Sequence, residues 1–249
     1  MSLAKRIISG DRRALARVLT LVENGAATCE GILAEMHAYG GNAHMVGVTG
    51  SPGVGKSTMV NVLAQLLRAR GDTVGVLAVD PTSPFSSGAV LGDRTRMRDL
   101  AGDDGIYIRS MATRGALGGL AHATAAAADL LDAAGFDHVI IETVGVGQAG
   151  VDIAFNVHTT IVMVEAGAAD DVQAIKAGIL EIADILAVNK ADLRGAEQTR
   201  AYLRSMLMMG GSANATGDEA QIEQDDIPSP SWRVPLLATV ASSAEGVDE

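Results

Sequence analysis

Through residue 39 the apolar positions of this chain recur at helical spacing, and beyond it they gather into short continuous runs. The first pattern predicts two helices, over residues 3–24 and 26–39, split at Gly25 and closed by Gly40 and Gly41. The runs at residues 45–48, 73–79, 106–110, 138–141, 159–164, 185–188 and 234–240 are too short for helices. They read as strands buried on both sides. Helical patterns fall between them. Met59, Val60, Leu63, Leu66 and Leu67 mark one that Gly71 stops, and residues 119–134 form an alanine-rich second. Residues 171–183 carry a stripe of Val172, Ile175, Ile179 and Ile182, and a further helix is expected over 195–209. Strands alternating with helices predict an α/β fold, a mostly parallel sheet with helices on both faces. Residues 1–41 read as a helical N-terminal extension and 42–249 as the main domain. Two stretches have no such pattern: 82–98, rich in Ser, Gly and charge, reads as a long functional loop, and 210–231 as a polar, acidic surface excursion.

Composition narrows the picture. Of 249 residues, 48% are hydrophobic and only 3% aromatic, so the core must be aliphatic. A net charge of −11 argues against a nucleic-acid partner held through phosphate contacts. Cys29 is the only cysteine, which excludes an intrachain disulfide and thiolate metal motifs. No apolar run approaches the ~20 residues of a membrane span. The first twenty residues read as an amphipathic helix, not a signal peptide, and a cytoplasmic protein without a membrane partner is expected.

The strand at 45–48 leads into Gly50-Ser51-Pro52-Gly53-Val54-Gly55-Lys56-Ser57-Thr58, which fits G-x-x-x-x-G-K-[ST] and is followed by a helix. Glycines allow backbone N–H groups to turn inward around a phosphate, and the helix start adds a positive field. Gly53, Val54, Gly55, Lys56, Ser57 and Thr58 are therefore expected to cradle a nucleoside triphosphate. Lys56 would reach its β- and γ-phosphates and Ser57 would ligate Mg²⁺. Asn189-Lys190-Ala191-Asp192 follows the strand at 185–188 directly. A fixed Asp192 carboxylate can accept from guanine N1–H and its 2-amino group, whereas adenine offers it no such pair. The Lys190 stem can cover the ring, and Asn189 can tie base and phosphate loop together. GTP and GDP are the expected ligands. Glu142 ends the strand at 138–141, Asp80 ends that at 73–79, and Asp93 lies in the loop at 82–98. All three are candidate magnesium carboxylates, with a nucleotide-dependent choice among them. Gly145 can offer its amide to the γ-phosphate.

Taken in order with these motifs, Ala78-Val79-Asp80-Pro81-Thr82-Ser83, Gly92-Asp93-Arg94-Thr95-Arg96-Met97, Arg109-Ser110-Met111-Ala112-Thr113-Arg114-Gly115 and Glu142-Thr143-Val144-Gly145-Val146-Gly147-Gln148 closely resemble the MeaB/ArgK/MMAA family of SIMIBI-class P-loop GTPases. The resemblance implies a GTPase chaperone that gates cofactor loading and protects an adenosylcobalamin-dependent mutase, typically methylmalonyl-CoA mutase. It places Asp80, Asp93 and Glu142 at magnesium and switch positions, and it implies catalytic roles for Lys56 and, in a later switch region, for Gln148 and Lys176. From the residues alone, Gln148 can orient a water or face solvent, and Lys176 lies on a helix face that needs charge in any case. Arg94, Arg96 and Arg114 can contact phosphate or a partner, or only solvate a polar loop. The chain departs from the family pattern in four places. Ala149-Gly150 follow Gln148 where Ser-Glu is usual, and residues 165–171 replace a Pro-Gly-Ala-Gly-Asp-Glu type segment. Residues 239–242 lack the usual Ser-Ala pair of the last base loop. Relatives continue past the position of Glu249 into helices that help form their dimer, which leaves a homodimer open.

Two other functions fit parts of the pattern. An ATP-using kinase or ATPase linked to lysine, arginine and ornithine transport is a label borne by relatives, and Asp192 speaks against it. A nickel-insertion GTPase shares the fold class but usually displays a His/Cys tract, whereas His37, His44, His122, His138 and His158 are scattered.

Overall fold

The structure is a computed structural model that describes residues 2–80, 100, 102–112, 117–143, 156–167, 181–213 and 232–248. Within these residues the apolar runs form one sheet of seven strands: β1 (His44–Gly50), β2 (Val74–Asp80), β3 (Ile106–Ala112), β4 (His138–Glu142), β5 (Thr159–Glu165), β6 (Ile185–Asn189) and β7 (Leu236–Thr239). Their order is β3-β2-β4-β1-β5-β6-β7, and every neighbouring pair is parallel. The carboxyl ends of all seven therefore lie along one edge. The chain moves from β1 out to β2 and β3, returns through β4, and crosses to β5 on the other side of β1. Ligands of such sheets bind outside the strand ends where the winding reverses.

Strand periodicity distributes the core between two faces. Leu77, Val79, Val139 and Ile141 pack with the N-terminal helices and α5 (Leu117–Ala133). Their alternates Val74, Val76 and Ile140 pack with Met59, Val60 and Ala64 of α4 (Lys56–Ala69). Val162, Val164, Leu186 and Val188 meet Leu203 of α6 (Ala196–Ala213). Among the described residues no helix is long and apolar enough to cross a membrane.

The N-terminal segment departs from the two-helix expectation. It forms α1 (Leu3–Ile8), α2 (Arg12–Glu23), a 3-10 turn at Ala27–Cys29 and α3 (Glu30–His37). The break after α1 falls at Gly10, whose φ of +86° only glycine adopts freely. Asp11 then caps α2, its carboxylate accepting from the N–H groups of Arg13 and Ala14 at 3.0 Å each. Ala14, Leu15, Val18, Leu19 and Val22 are the buried stripe of α2, and they belong to the same apolar cluster as α5 and the sheet. Polar anchors reinforce that packing. Arg109 of β3 pairs with Glu23 at 2.5 Å, and Arg12 donates to the carbonyl of Ile106 at 2.9 Å. Asp132 of α5 accepts from the backbone N–H groups of Gly41, Asn42 and Ala43, which pins the entry to β1.

Other boundaries move by a few residues. The last strand runs Leu236–Thr239 and not 234–240, because Val240 leaves the ladder to bridge Glu245. Helix α6 continues four residues past the expected end, so residues 210–213 are helical. The loop expected at 82–98, most of the helix expected at 171–183 and the rest of the 210–231 segment lie outside the described residues.

Candidate nucleotide-binding site

The loop after β1 sits at the centre of the carboxyl edge. Gly50 has a φ of +152°, and a β-carbon there would lie 2.5 Å from the carbonyl oxygen of Met163 on β5. Gly55, at φ +102°, is the N-cap of α4, and a β-carbon would lie 2.5 Å from Nδ2 of Asn189. These two positions admit only glycine, one for close approach to a strand and one for close approach to a side chain. Among the described residues no side chain caps the start of α4, which leaves its first-turn N–H groups for an anion at this end.

Lys56 is buried, with 8% of its surface exposed. Its ammonium donates to the carbonyls of Gly50 at 2.9 Å and Ser51 at 3.1 Å, so the charge lies across the loop. Beside it the Ser57 hydroxyl donates to Oε1 of Glu142 at 2.6 Å, and both residues are buried. Glu142 arrives there through strand register, since it is the last residue of β4 and stands opposite Val48 of β1 and Ala78 of β2. The next residue, Thr143, ties the two strand ends together. Its N–H donates to the Val48 carbonyl at 3.1 Å and its hydroxyl to Thr49 Oγ1 at 3.0 Å. Asp80 ends β2 on the same edge.

Asn189 ends β6 and joins three segments. Its amide nitrogen donates to the Val54 carbonyl of the phosphate loop at 2.7 Å. Its oxygen accepts from Thr239 Oγ1 at 3.2 Å and from the Ala241 N–H at 3.0 Å. Lys190 follows at φ +58°, and its ammonium donates to Glu165 Oε1 at 2.8 Å. The Ala191 N–H reaches the Thr239 carbonyl at 3.1 Å, and Asp192 stands exposed in the turn beyond. The carboxyl ends of β1, β4 and β6 thus bring Lys56, Ser57, Glu142 and Asn189 into one edge site. Asp93, Gly145, Gln148 and Lys176, together with the side chain of Asp80, lie outside the described residues.

Thr49, Thr143, Glu165, Thr239 and Ala241 also take part in this network, although the sequence assigns none of them a site role. Thr49, Glu165 and Thr239 share a position at the carboxyl end of a strand, and Thr143 and Ala241 follow one closely, which becomes informative only once register is known.

An all-oxygen pair of a hydroxyl and a carboxylate at 2.6 Å, buried beneath a phosphate-type loop, has the chemistry of a magnesium site. Magnesium keeps several waters and commonly takes only one or two protein carboxylates, so Ser57 and Glu142 fit without a third described ligand. Among the described residues no three His, Cys, Asp or Glu side chains gather as a metal-holding group.

Comparison with known proteins bears on this geometry. The model of a family described as methylmalonyl Co-A mutase-associated GTPase MeaB matches residues 15–249. A protein of Pyrococcus horikoshii named as a GTPase is 47% identical over 247 residues, covering 99% of this chain and 74% of its own length. One of Mycobacterium tuberculosis, also named as a GTPase, is 42% identical over 251 residues, covering 99% and 71%. Among solved structures, the crystal structure of an LAO/AO transport system kinase aligns with a TM-score of 0.69 at 30% identity, over 99% of this chain and 70% of that one.

Proposed function

This chain belongs to the family of methylmalonyl-CoA mutase-associated GTPases, and from that premise we propose a Mg²⁺-dependent switch that uses GTP to gate cofactor loading of an adenosylcobalamin-dependent mutase and to protect it. The activity is GTP hydrolysis, as in its relatives. The observation that carries the reading is Asn189, whose one side chain joins the phosphate loop at Val54 to the loop after β7 at Ala241. A guanine held by those loops is thereby coupled to the cradle for its phosphates.

The residues divide the work by charge and shape. Backbone N–H groups of Gly53 to Thr58 surround the phosphates, and Lys56 exchanges its two carbonyl partners for phosphate oxygens. Ser57 and Glu142 would hold Mg²⁺, with Asp80 and Asp93 as further carboxylates for the other nucleotide state. Bound there, the ion would neutralise charge on the phosphate oxygens. Asp192 accepts from the guanine edge while the Lys190 stem covers its face. Gly145 offers its amide to the γ-phosphate, Gln148 orients the attacking water, and Lys176 adds charge from the later switch segment. Hydrolysis then depends on positioning and electrostatics rather than covalent chemistry.

The partner is tested by measuring GTP hydrolysis alone and with a purified adenosylcobalamin-dependent mutase, methylmalonyl-CoA mutase first. A complex with an altered rate is expected. If no mutase binds or changes turnover, the chaperone role fails and the GTPase stands. The name of the aligned kinase structure keeps an ATP-using transport role as the competing reading, and a preference for ATP would favour it.

A further inference from the structure

Glu165 is the last residue of β5 and stands opposite Asn189 in the β5–β6 register. Its carboxylate accepts from the Lys190 ammonium at 2.8 Å. Both backbones are fixed independently of that contact. The Ala166 N–H donates to the Asn189 carbonyl at 3.0 Å, and the Gly167 N–H to Thr199 Oγ1 at 3.1 Å. On the other side, the Ala191 N–H is held by Thr239, and the Leu193 N–H donates to the Lys190 carbonyl at 2.9 Å. Lys190 has φ +58°, a conformation rare for residues with a β-carbon, so the turn sets the direction in which its stem leaves the backbone. What the backbone does not set is the path of the long, flexible stem beyond it.

We propose that Glu165 is a positioning residue for guanine recognition: its carboxylate anchors the Lys190 ammonium and so holds the lysine stem in place as one wall of the base slot. The proposal rests on the reading of residues 189–192 as the base-binding loop. Two physical effects support it. A free lysine loses rotamer freedom when it lies against a ring, and an anchored one has lost it beforehand. A lysine released from Glu165 also has the exposed Asp192 carboxylate in the same short turn to pair with, and that carboxylate is the one required by guanine. The ion pair is half-exposed, at 37% and 31% for the two side chains, so it adds little to the stability of the fold. Its removal should therefore act on the nucleotide and not on folding.

The test compares the wild-type protein with Glu165→Gln for GDP, ADP and tripolyphosphate, a ligand with phosphates and no base. Glu165→Gln should weaken GDP binding roughly fivefold to tenfold, the range of a lost charge-assisted contact. Tripolyphosphate affinity and the thermal midpoint should stay unchanged. In a Lys190→Met background, Glu165→Gln should cause no further loss, because the lysine through which it acts is gone. Unchanged GDP affinity in Glu165→Gln would overturn the proposal. So would an equal loss for tripolyphosphate, which marks a general structural role, or a loss that persists in Lys190→Met. A wild-type protein that binds ADP as well as GDP would sink the base-slot reading itself, and this proposal with it.

Discussion

Asn189 places its amide nitrogen on Val54 and its oxygen on Thr239 and Ala241, so no single polar atom of it is spare. It is buried at 3% exposure, and truncation would leave the buried Val54 carbonyl and Ala241 N–H without this partner. Asn189→Ala should therefore lower stability by about 2–3 kcal/mol and weaken GDP binding at least tenfold, read by denaturant unfolding and by equilibrium titration. At this scale motif spacing picked out residues that the structure brings to one edge of the sheet. Lys56, Ser57 and Asn189 announce themselves because phosphate and base recognition require those groups at fixed offsets. Glu165 and Thr143 do not, since an acidic residue or a threonine after an apolar run has many uses. Their roles come from register: Glu165 stands opposite Asn189, and Thr143 follows the residue opposite Val48.

The helices and strands follow from the apolar pattern more closely at their centres than at their ends. All seven strands lie on runs visible in the sequence. The inner ones are buried on both faces, which demands continuous aliphatic residues, while the edge strands β3 and β7 are only partly buried. The break between α1 and α2 was hidden, since Leu3 to Val22 keep helical spacing across Gly10 and Asp11. The deciding feature was local: a left-handed glycine followed by an acidic N-cap. The same α2 stripe shows how the N-terminal helices hold to the sheet. Leu19 is 1% exposed within the cluster it shares with α5. Leu19→Ala should cost about 2–5 kcal/mol by leaving a cavity between α2 and α5. Thermal or denaturant unfolding would register it, and a change below about 1 kcal/mol would mean that α2 is not part of this core.

Across the whole molecule, one parallel sheet gathers its chemistry at one edge and a histidine group at the other. His44, at the start of β1, has ring centroids 6.2 Å from His138 and 5.5 Å from His158, and its Nε2 lies 3.0 Å from Thr159 Oγ1. Burial, and then the neighbouring His158 and His138, hold its imidazole below the usual histidine range. Its folded state therefore binds fewer protons than its unfolded state, so stability is full above the usual histidine range and declines as pH falls through it. His138 is the group among these with an acidic partner, Asp72 at 3.2 Å. Asp137 acts in the same sense at lower pH. The Thr73 N–H and then its hydroxyl hold that carboxyl below the usual range, so its contribution disappears only in stronger acid. The thermal midpoint should decline as pH falls through and below the usual histidine range, and His44→Gln should flatten that decline. The central claim concerns the opposite edge, where phosphate loop and base loop meet through Asn189. Its most direct test is equilibrium binding of GDP and ADP to the same preparation. GDP should bind at least about a hundredfold more tightly, as expected when a buried polar site is left unpaired by the wrong base. Equal affinities, or a preference for ADP, would contradict the account.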